Sequence, residues 1–212
     1  MDAVQITYLG HACFCLESGG YRTILDPYAD GMVPGLPPLR VEADAVYCSH
    51  GHDDHHFVDA VRLSAQPRPA PYRVEEIVVP HDDCGGAQRG MNTIRIFHFG
   101  SLRVAHLGDL GRMLTQEETE KLSGVTCMMI PTGGYYTIDA QTAKAVVDQV
   151  QPRVCIPMHY RTDTAGFAVL SHLRSFTDRF DRVQVADQLT LTQEIEPQVC
   201  VLRPQTKGAT EK

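Results

Sequence analysis

The sequence has no tryptophan and only 7% aromatic residues, so its core must be built mainly from Val, Leu, Ile and Met. It has no C-x-x-C pair. Cys13, Cys15, Cys48, Cys84, Cys127, Cys155 and Cys200 are scattered and odd in number, which argues against a disulfide framework or a zinc ribbon and leaves reduced thiols. Of these, Cys48, Cys127 and Cys155 stand in apolar runs and are expected in the core. No stretch approaches the ~20 apolar residues of a membrane helix. The N-terminus, Met1-Asp2-Ala3-Val4-Gln5, has no basic segment followed by an apolar run, so the expectation is a cytoplasmic protein with no membrane partner. A basic surplus is also missing: the formal charge is −7, against a nucleic-acid partner held through a general basic surface. There is no G-x-S-x-G elbow and no cysteine placed beside a histidine, so a covalent Ser or Cys mechanism is not indicated.

What is present is a chain of 212 residues, enough for one large buried core. Residues 1–202 are expected to form a single domain and 203–212 a flexible C-terminal tail. Short apolar runs, Ile6–Leu9, Ala12–Leu16 and Tyr21–Leu25, separated by Gly10 and Gly19-Gly20, predict consecutive strands joined by turns. Gly31 to Pro38, with two Gly and three Pro, predicts a surface loop. Further strands are predicted at Ala45–Cys48, Glu76–Val79, Thr93–Phe97, Leu102–Ala105 and Val154–Ile156, and near 183–185, 189–191 and 199–202. Thr115-Gln116-Glu117-Glu118 has the form of a capping box opening a short helix. Ala140, Ala143, Val146, Val147 and Val150 share one face of a second helix that Pro152 ends, and Leu170, Leu173 and Phe176 suggest a third over 165–180. Strands first, then strands mixed with helices, predict a layered α/β domain with two sheets.

Histidine is the abundant residue: there are ten, and His50, His52, His55 and His56 fall within seven residues directly after the Ala45–Cys48 run. Alternation in a loop leaving a strand points His50 and His52 to one side while Asp54 and His55 reach an adjacent position. A mixed His/Asp set suits a catalytic metal better than a closed structural site.

These residues resemble the H-x-H-x-D-H signature of the metallo-β-lactamase fold superfamily. Leu9-Gly10-His11, Leu25-Asp26-Pro27-Tyr28, His81-Asp82, Arg89-Gly90-x-Asn92, His106-Leu107-Gly108-Asp109, Pro131-x-Gly133-Gly134-x-Tyr136 and Pro157-Met158-His159-Tyr160 extend the likeness to its small hydrolase branch related to L-ascorbate-6-phosphate lactonases. The resemblance implies a four-layer αβ/βα sandwich, two mixed β-sheets flanked by helices. It also implies two divalent metal ions: His50, His52 and His81 on one, Asp54, His55 and His159 on the other, and Asp109 between them. His98 competes with His81 for the third place on the first metal. Zinc is the first expectation, and manganese, iron and nickel are accepted by the same donors. His11, Asp26 and His106 are expected just behind the ligands, supporting them, while His56 and His172 are given no chemistry.

Two cations a few ångströms apart lower the pKa of a shared water and polarise a substrate oxygen. The expected reaction is hydroxide attack on an ester or lactone-type bond of a small, anionic molecule, with Asp54 as the catalytic carboxylate that orients or accepts the proton. Flavin-linked diiron relatives resemble H-x-E-x-D at this loop, so histidine at position 52 favours hydrolysis. Arg89, Arg161, Tyr136 and the Gly133-Gly134 turn into the following helix are the expected substrate contacts. A phosphodiesterase and a non-catalytic, metal-binding regulatory protein are the alternatives, and self-association into a homo-oligomer stays open.

Overall fold

Glycine turns and period-two burial set up the first sheet of the computed structural model, which describes residues 3–205. Strands β1 (Val4–Gly10), β2 (Cys13–Ser18) and β3 (Tyr21–Leu25) form an antiparallel meander. Strand β5 (Ala45–Tyr47) runs parallel to β3, and β13 (Leu189–Leu191) lines the far edge antiparallel to β1. The order is β13-β1-β2-β3-β5, and β4 (Val41–Ala43) with β6 (Val61–Leu63) makes a separate two-stranded ribbon.

The second sheet has seven strands: β7 (Arg73–Pro80), β8 (Met91–Phe99), β9 (Leu102–His106), β10 (Cys127–Pro131), β11 (Val154–Met158), β12 (Val183–Ala186) and β14 (Gln198–Leu202). The β7-β8-β9 portion is antiparallel and the β9-β10-β11-β14-β12 portion parallel, so this sheet is mixed like the first.

Side chains alternate between two layers along the central strands, which is why these strands read as continuous apolar runs. Cys127 and Met129 of β10 face inward, onto Tyr8, Phe14 and Leu16 of the first sheet; Met128 and Ile130 face outward, onto the helices. Those helices are α1 (Gln116–Leu122) and α2 (Ala140–Val150), with Ala140, Ala143, Val146 and Val150 of α2 buried as its spacing predicts. The sandwich implied by the sequence is therefore present. On the outer face of the first sheet the cover is chiefly the loop carrying Tyr28, Val33 and Leu39, together with a 3-10 turn at Val58–Ala60. The Gly31 to Pro38 stretch is thus partly a buried covering layer, with Val33 2% exposed.

Two local expectations are corrected. The segment 165–180 contains only a four-residue helix, α3 (Arg174–Thr177). Gly166 has φ +102° against the Arg161 backbone, and Arg161 N donates to Ser171 O at 3.1 Å, closing a loop where a helix was expected. Leu170 and Phe176 are nevertheless buried. Cys48 is only half-buried, unlike Cys127 and Cys155. Of the expected tail 203–212, Arg203 and Gln205 are held by backbone hydrogen bonds to Ala186 O and Tyr8 O, and 206–212 lie outside the described residues.

The capping box of α1 forms as expected, and it carries a pH prediction. Thr115 Oγ1 accepts from Glu118 N, and both Glu118 oxygens accept from Arg112 at 2.8 Å. The Arg112 hydrogen bonds, opposed by burial, hold the Glu118 carboxyl below its ordinary range. A depressed folded-state pKa adds stability above the unfolded pKa that is lost as pH falls through the folded value. Glu118→Gln keeps a capping side chain and removes the charge, so it should cost about 1 kcal/mol at neutral pH. That gap should close below about pH 4. Urea unfolding across the pH range checks this, and a pH-independent gap would remove the ion pair as its cause.

Candidate metal centre

Every residue of the cluster sits where a strand ends or a tight turn begins, along one edge of the sandwich. His11 occupies the β1–β2 turn, Asp26 follows β3, Ser49 to His55 follow β5, His81 follows β7, Asp109 follows β9 and His159 follows β11. Three of these, His11, Asp26 and His159, adopt left-handed backbone at φ 56°, 45° and 53°. Side chains other than glycine rarely do so without compensation, and such strain gathers at functional sites.

The ligating atoms of His50, His52 and His81 lie within 4.8 Å of one another, as do those of His11, Asp54, His55 and His159. Asp109 stands between the two groups. Its Oδ2 is 3.3 Å from both His81 Nε2 and His159 Nε2, and its Oδ1 is 3.3 Å from His55 Nε2. The seven residues that the resemblance implies as ligands are thus brought together in space. His98 is not part of it. Pro80 pairs with Met91 and Arg73 with His98, placing His98 roughly 23 Å along β8 from the His81 end at ~3.3 Å per residue. There it contacts Glu75 and Arg73.

Tautomers follow from the supporting hydrogen bonds. Asp26 Oδ1 accepts from Ser49 N and Oδ2 from Ser49 Oγ, each at 2.6 Å, and Oδ2 also accepts from His55 Nδ1 at 2.7 Å. With its proton given to Asp26, Ser49 Oγ accepts from His50 Nδ1 at 2.9 Å. Both imidazoles therefore carry hydrogen on Nδ1 and turn an Nε2 lone pair inward, as metal ligands require. Burial tends to raise the Asp26 pKa, but His106 and His55 outweigh it and bring it down to about 2.

His50 Nε2 lies 3.0 Å from His52 Nδ1, but other atoms of the cluster lack partners. Among the described residues, His55 Nε2, His81 Nδ1, both nitrogens of His159 and Asp109 Oδ1 are buried with no hydrogen bond. Orphaned buried polar atoms are costly and call for an explanation. Here lone pairs face lone pairs, so a positive charge belongs between them. Although burial favours neutral His55, Asp109 and Asp26 raise its pKa well above the ordinary histidine value. A divalent cation meets the same demand, and the His/Asp donors fit one. His50 suits coordination in another respect: burial and the charge of His55 lower its pKa to about 3, keeping it neutral.

His11 is closer to the centre than the sequence suggested. Its Nε2 donates to Asp54 Oδ2 at 3.1 Å and its ring lies 4.1 Å from that of His159. His106 stands behind the ligands without a hydrogen bond to any of them: its Nε2 donates to Ala12 O, its Nδ1 accepts from Gly108 N, and Asp26 Oδ2 is 4.0 Å away. It ties the His11 turn to the Asp109 turn. Two supports went unassigned in the sequence. Asn92 Oδ1 accepts from Asp109 N at 2.9 Å while its Nδ2 donates to Leu107 O. Asp82, next to His81, accepts the backbone N–H groups of Cys84, Gly86, Gln88 and Arg89. A carboxylate three residues or fewer from a glycine-rich loop was the available signal for Asp82.

Beside the centre opens a cleft of about 470 Å³, with His52, Asp54, His81 and Asp109 at its base and Arg89, Tyr136, Phe167 and Met32 on its walls. Arg89 and Tyr136 are placed as expected. Arg161 is not: it lies outside the cleft lining and its Nε donates to Leu170 O at 2.6 Å. The Gly133-Gly134 turn serves packing and chain reversal. A Cβ on Gly133 would meet His159 O at 2.1 Å, and Gly134 has φ +67°. The start of α2 is not free for an anion, since the Asp139 side chain accepts from Thr142 N and brings its own negative charge. His56 is exposed, and the His172 ring lies 3.9 Å from Asp163, away from the cluster.

Among the described residues no helix is long and apolar enough to cross a membrane. Residues 5–159 match the family described as the β-lactamase superfamily domain. A metal-dependent hydrolase of the UPF0173 group from Archaeoglobus fulgidus is 30% identical over 198 residues, spanning 75% of this chain and 84% of its own. A crystal structure from Thermotoga maritima, described as a candidate Zn-dependent hydrolase of the metallo-β-lactamase superfamily, is 32% identical with a TM-score of 0.73. It covers 94% of this chain and 98% of its own. A metallo hydrolase from Ignicoccus hospitalis shares the fold at 21% identity and TM-score 0.62, over 84% of this chain and 90% of its own.

Proposed function

The chain belongs to the β-lactamase superfamily of metal-dependent hydrolases, and from that premise we propose that it cleaves an ester or lactone-type bond of a small anionic molecule at a two-metal centre. The observation that carries this reading is Asp109, whose two oxygens approach histidines of both donor groups at 3.3 Å. On this reading His50, His52 and His81 hold one ion, Asp54, His55 and His159 the other, with His11 beside the second. Two divalent cations bound there would lower the pKa of an intervening water and polarise a scissile carbonyl, zinc being the first choice.

The chain's own residues do the rest. Asp54 lines the cleft and stays ionised: burial opposes this, but the hydrogen bond from His11 and the charge of His55 hold its pKa below the carboxylate range. Such a group accepts a hydrogen bond from an attacking water and orients it. His11 keeps that carboxylate in place by donating from Nε2. Its own pKa is lowered to about 4, chiefly by burial and then by His159, so it remains a neutral donor. The partner required is a small molecule, not a nucleic acid or a membrane.

The direct test is metal content. Protein stripped with chelator and reconstituted should hold two equivalents per chain by elemental analysis, and should hydrolyse members of a lactone and aryl ester panel only when loaded. One equivalent or less would end the two-metal reading. Turnover of bis(p-nitrophenyl) phosphate in place of the esters would turn the assignment to a phosphodiesterase, and full loading with no turnover on either panel would favour a regulatory role.

A further inference from the structure

We propose that Arg89 and an apolar wall of Met32, Tyr136 and Phe167 select substrates in which an apolar ring lies beside an oxyanion, a carboxylate or a phosphate monoester. The identity of the cleaved bond rests on the hydrolase reading above; the selectivity does not.

Arg89 is the first observation. Its side chain is half-buried, lines the cleft and lies 5.8 Å from the centroid of the Tyr136 ring. Among the described residues its guanidinium has no hydrogen bond and no ion pair, whereas Arg40, Arg68, Arg95 and Arg112 are all matched by carboxylates. A guanidinium partly withdrawn from water without a counter-charge is costly, and an anionic ligand would offset that cost.

The backbone that carries it is fixed. Asp82 Oδ2 accepts from both Gln88 N and Arg89 N at 2.9 Å, while Oδ1 accepts from Gly86 N at 2.7 Å. His81 N donates to Gly90 O at 3.0 Å, closing the base of the loop. One short loop thus holds a candidate ligand at its start and Arg89 near its end, so the backbone from which the guanidinium extends is placed relative to the metal centre before any ligand arrives. Preorganised contacts of this kind discriminate best, since little ordering remains to be done on binding.

The apolar wall is also built. Phe167 meets Tyr136 edge to face at 5.9 Å and His11 at 5.5 Å. Gly166 N donates to Pro34 O at 2.9 Å, joining the loop that carries Phe167 to the loop that carries Met32. Met32 is 39% exposed although it is a large apolar side chain at the mouth of the cleft. An apolar ring set against these three would leave water, and an uncharged ring alone would leave Arg89 unmatched.

Isothermal titration of the metal-loaded full chain with phenylacetate, phenyl phosphate, benzyl alcohol and acetate tests this without turnover. At least one of the two ring-bearing anions should bind at least about tenfold more tightly than benzyl alcohol or acetate, and the tighter of the two identifies the oxyanion. Arg89→Met should lower that affinity about tenfold or more and leave benzyl alcohol unchanged, with Arg89→Lys intermediate because a point charge replaces a planar fork. Phe167→Ala should weaken both anions and spare acetate. Equal binding of the anions to wild type and Arg89→Met, or no preference over acetate and benzyl alcohol, would overturn the proposal. Kinetics separate the two readings. Equal kcat/KM for p-nitrophenyl acetate and its hemisuccinate counterpart would retain a hydrolase and reject the selectivity. Selective binding with no ester turnover would do the reverse.

Discussion

Asp109→Ala is expected to reduce bound metal from two equivalents to at most one and to lower kcat/KM on any ester substrate by on the order of 10³, about 4 kcal/mol of barrier. The size follows from position. This carboxylate is 2% exposed and is, among the described residues, the one carboxylate within 4 Å of histidines from both donor sets, His50 at 3.9 Å included. On the two-metal reading, its removal would take an anionic donor from both ions and leave their mutual repulsion less compensated. The fold should survive. In the metal-free protein Asp109 raises the pKa of His55, and without it that imidazole can lose its proton, so no buried charge is left stranded. Elemental analysis and the chelator dependence of Tm measure the outcome. Wild type should lose thermal stability on metal removal, and Asp109→Ala should lose much less. Asp109→Asn keeps the shape and the Asn92 contact to its backbone while removing the charge, so it should fall with Ala. Two retained equivalents in either variant would exclude the bridging role.

The histidine loop was legible because its donors lie within one short segment after an apolar strand, and the capping box and the face of α2 were legible because local spacing determines them. Choosing His81 over His98 required the β7–β8 register, which a sequence does not display. Leu170, Leu173 and Phe176 have helical spacing, but Gly166 and the Arg161–Ser171 pairing impose a loop, so tertiary hydrogen bonding overrode periodicity there. The same kind of reason hid the walls of the cleft. Met32 and Phe167 are far apart in sequence and carry no motif, and they meet through one backbone bond between their loops. Arg161 looked available because it follows His159 closely, yet its guanidinium is committed to a carbonyl of its own loop.

Asp26→Asn should weaken metal binding by about 10- to 100-fold while the apo fold persists, an effect that turns on the placement of protons. Asp26 accepts three hydrogen bonds, two of them on Oδ2, from Ser49 Oγ and His55 Nδ1. In the asparagine variant the amide oxygen can serve only one side. If it keeps the Ser49 backbone N–H, the new NH₂ group faces two donors. His55 then relieves the clash by moving its hydrogen to Nε2, which occupies the lone pair turned toward Asp109 and Asp54. Ser49 Oγ loses its acceptor as well and must accept from the amide, so the proton order that sets His50 is disturbed through the same contact. One uncharged atom would thus act on a histidine from each donor set. Activity measured against added zinc should show a raised half-saturation with most of kcat recovered at saturating metal, since no group touching the substrate has changed. Serine at position 49 gives an internal control. Ser49→Ala leaves the Asp26–His55 bond in place, so it should weaken the His50 side alone and by less. If Asp26→Asn binds metal like the wild type, tautomer control by this carboxylate is wrong.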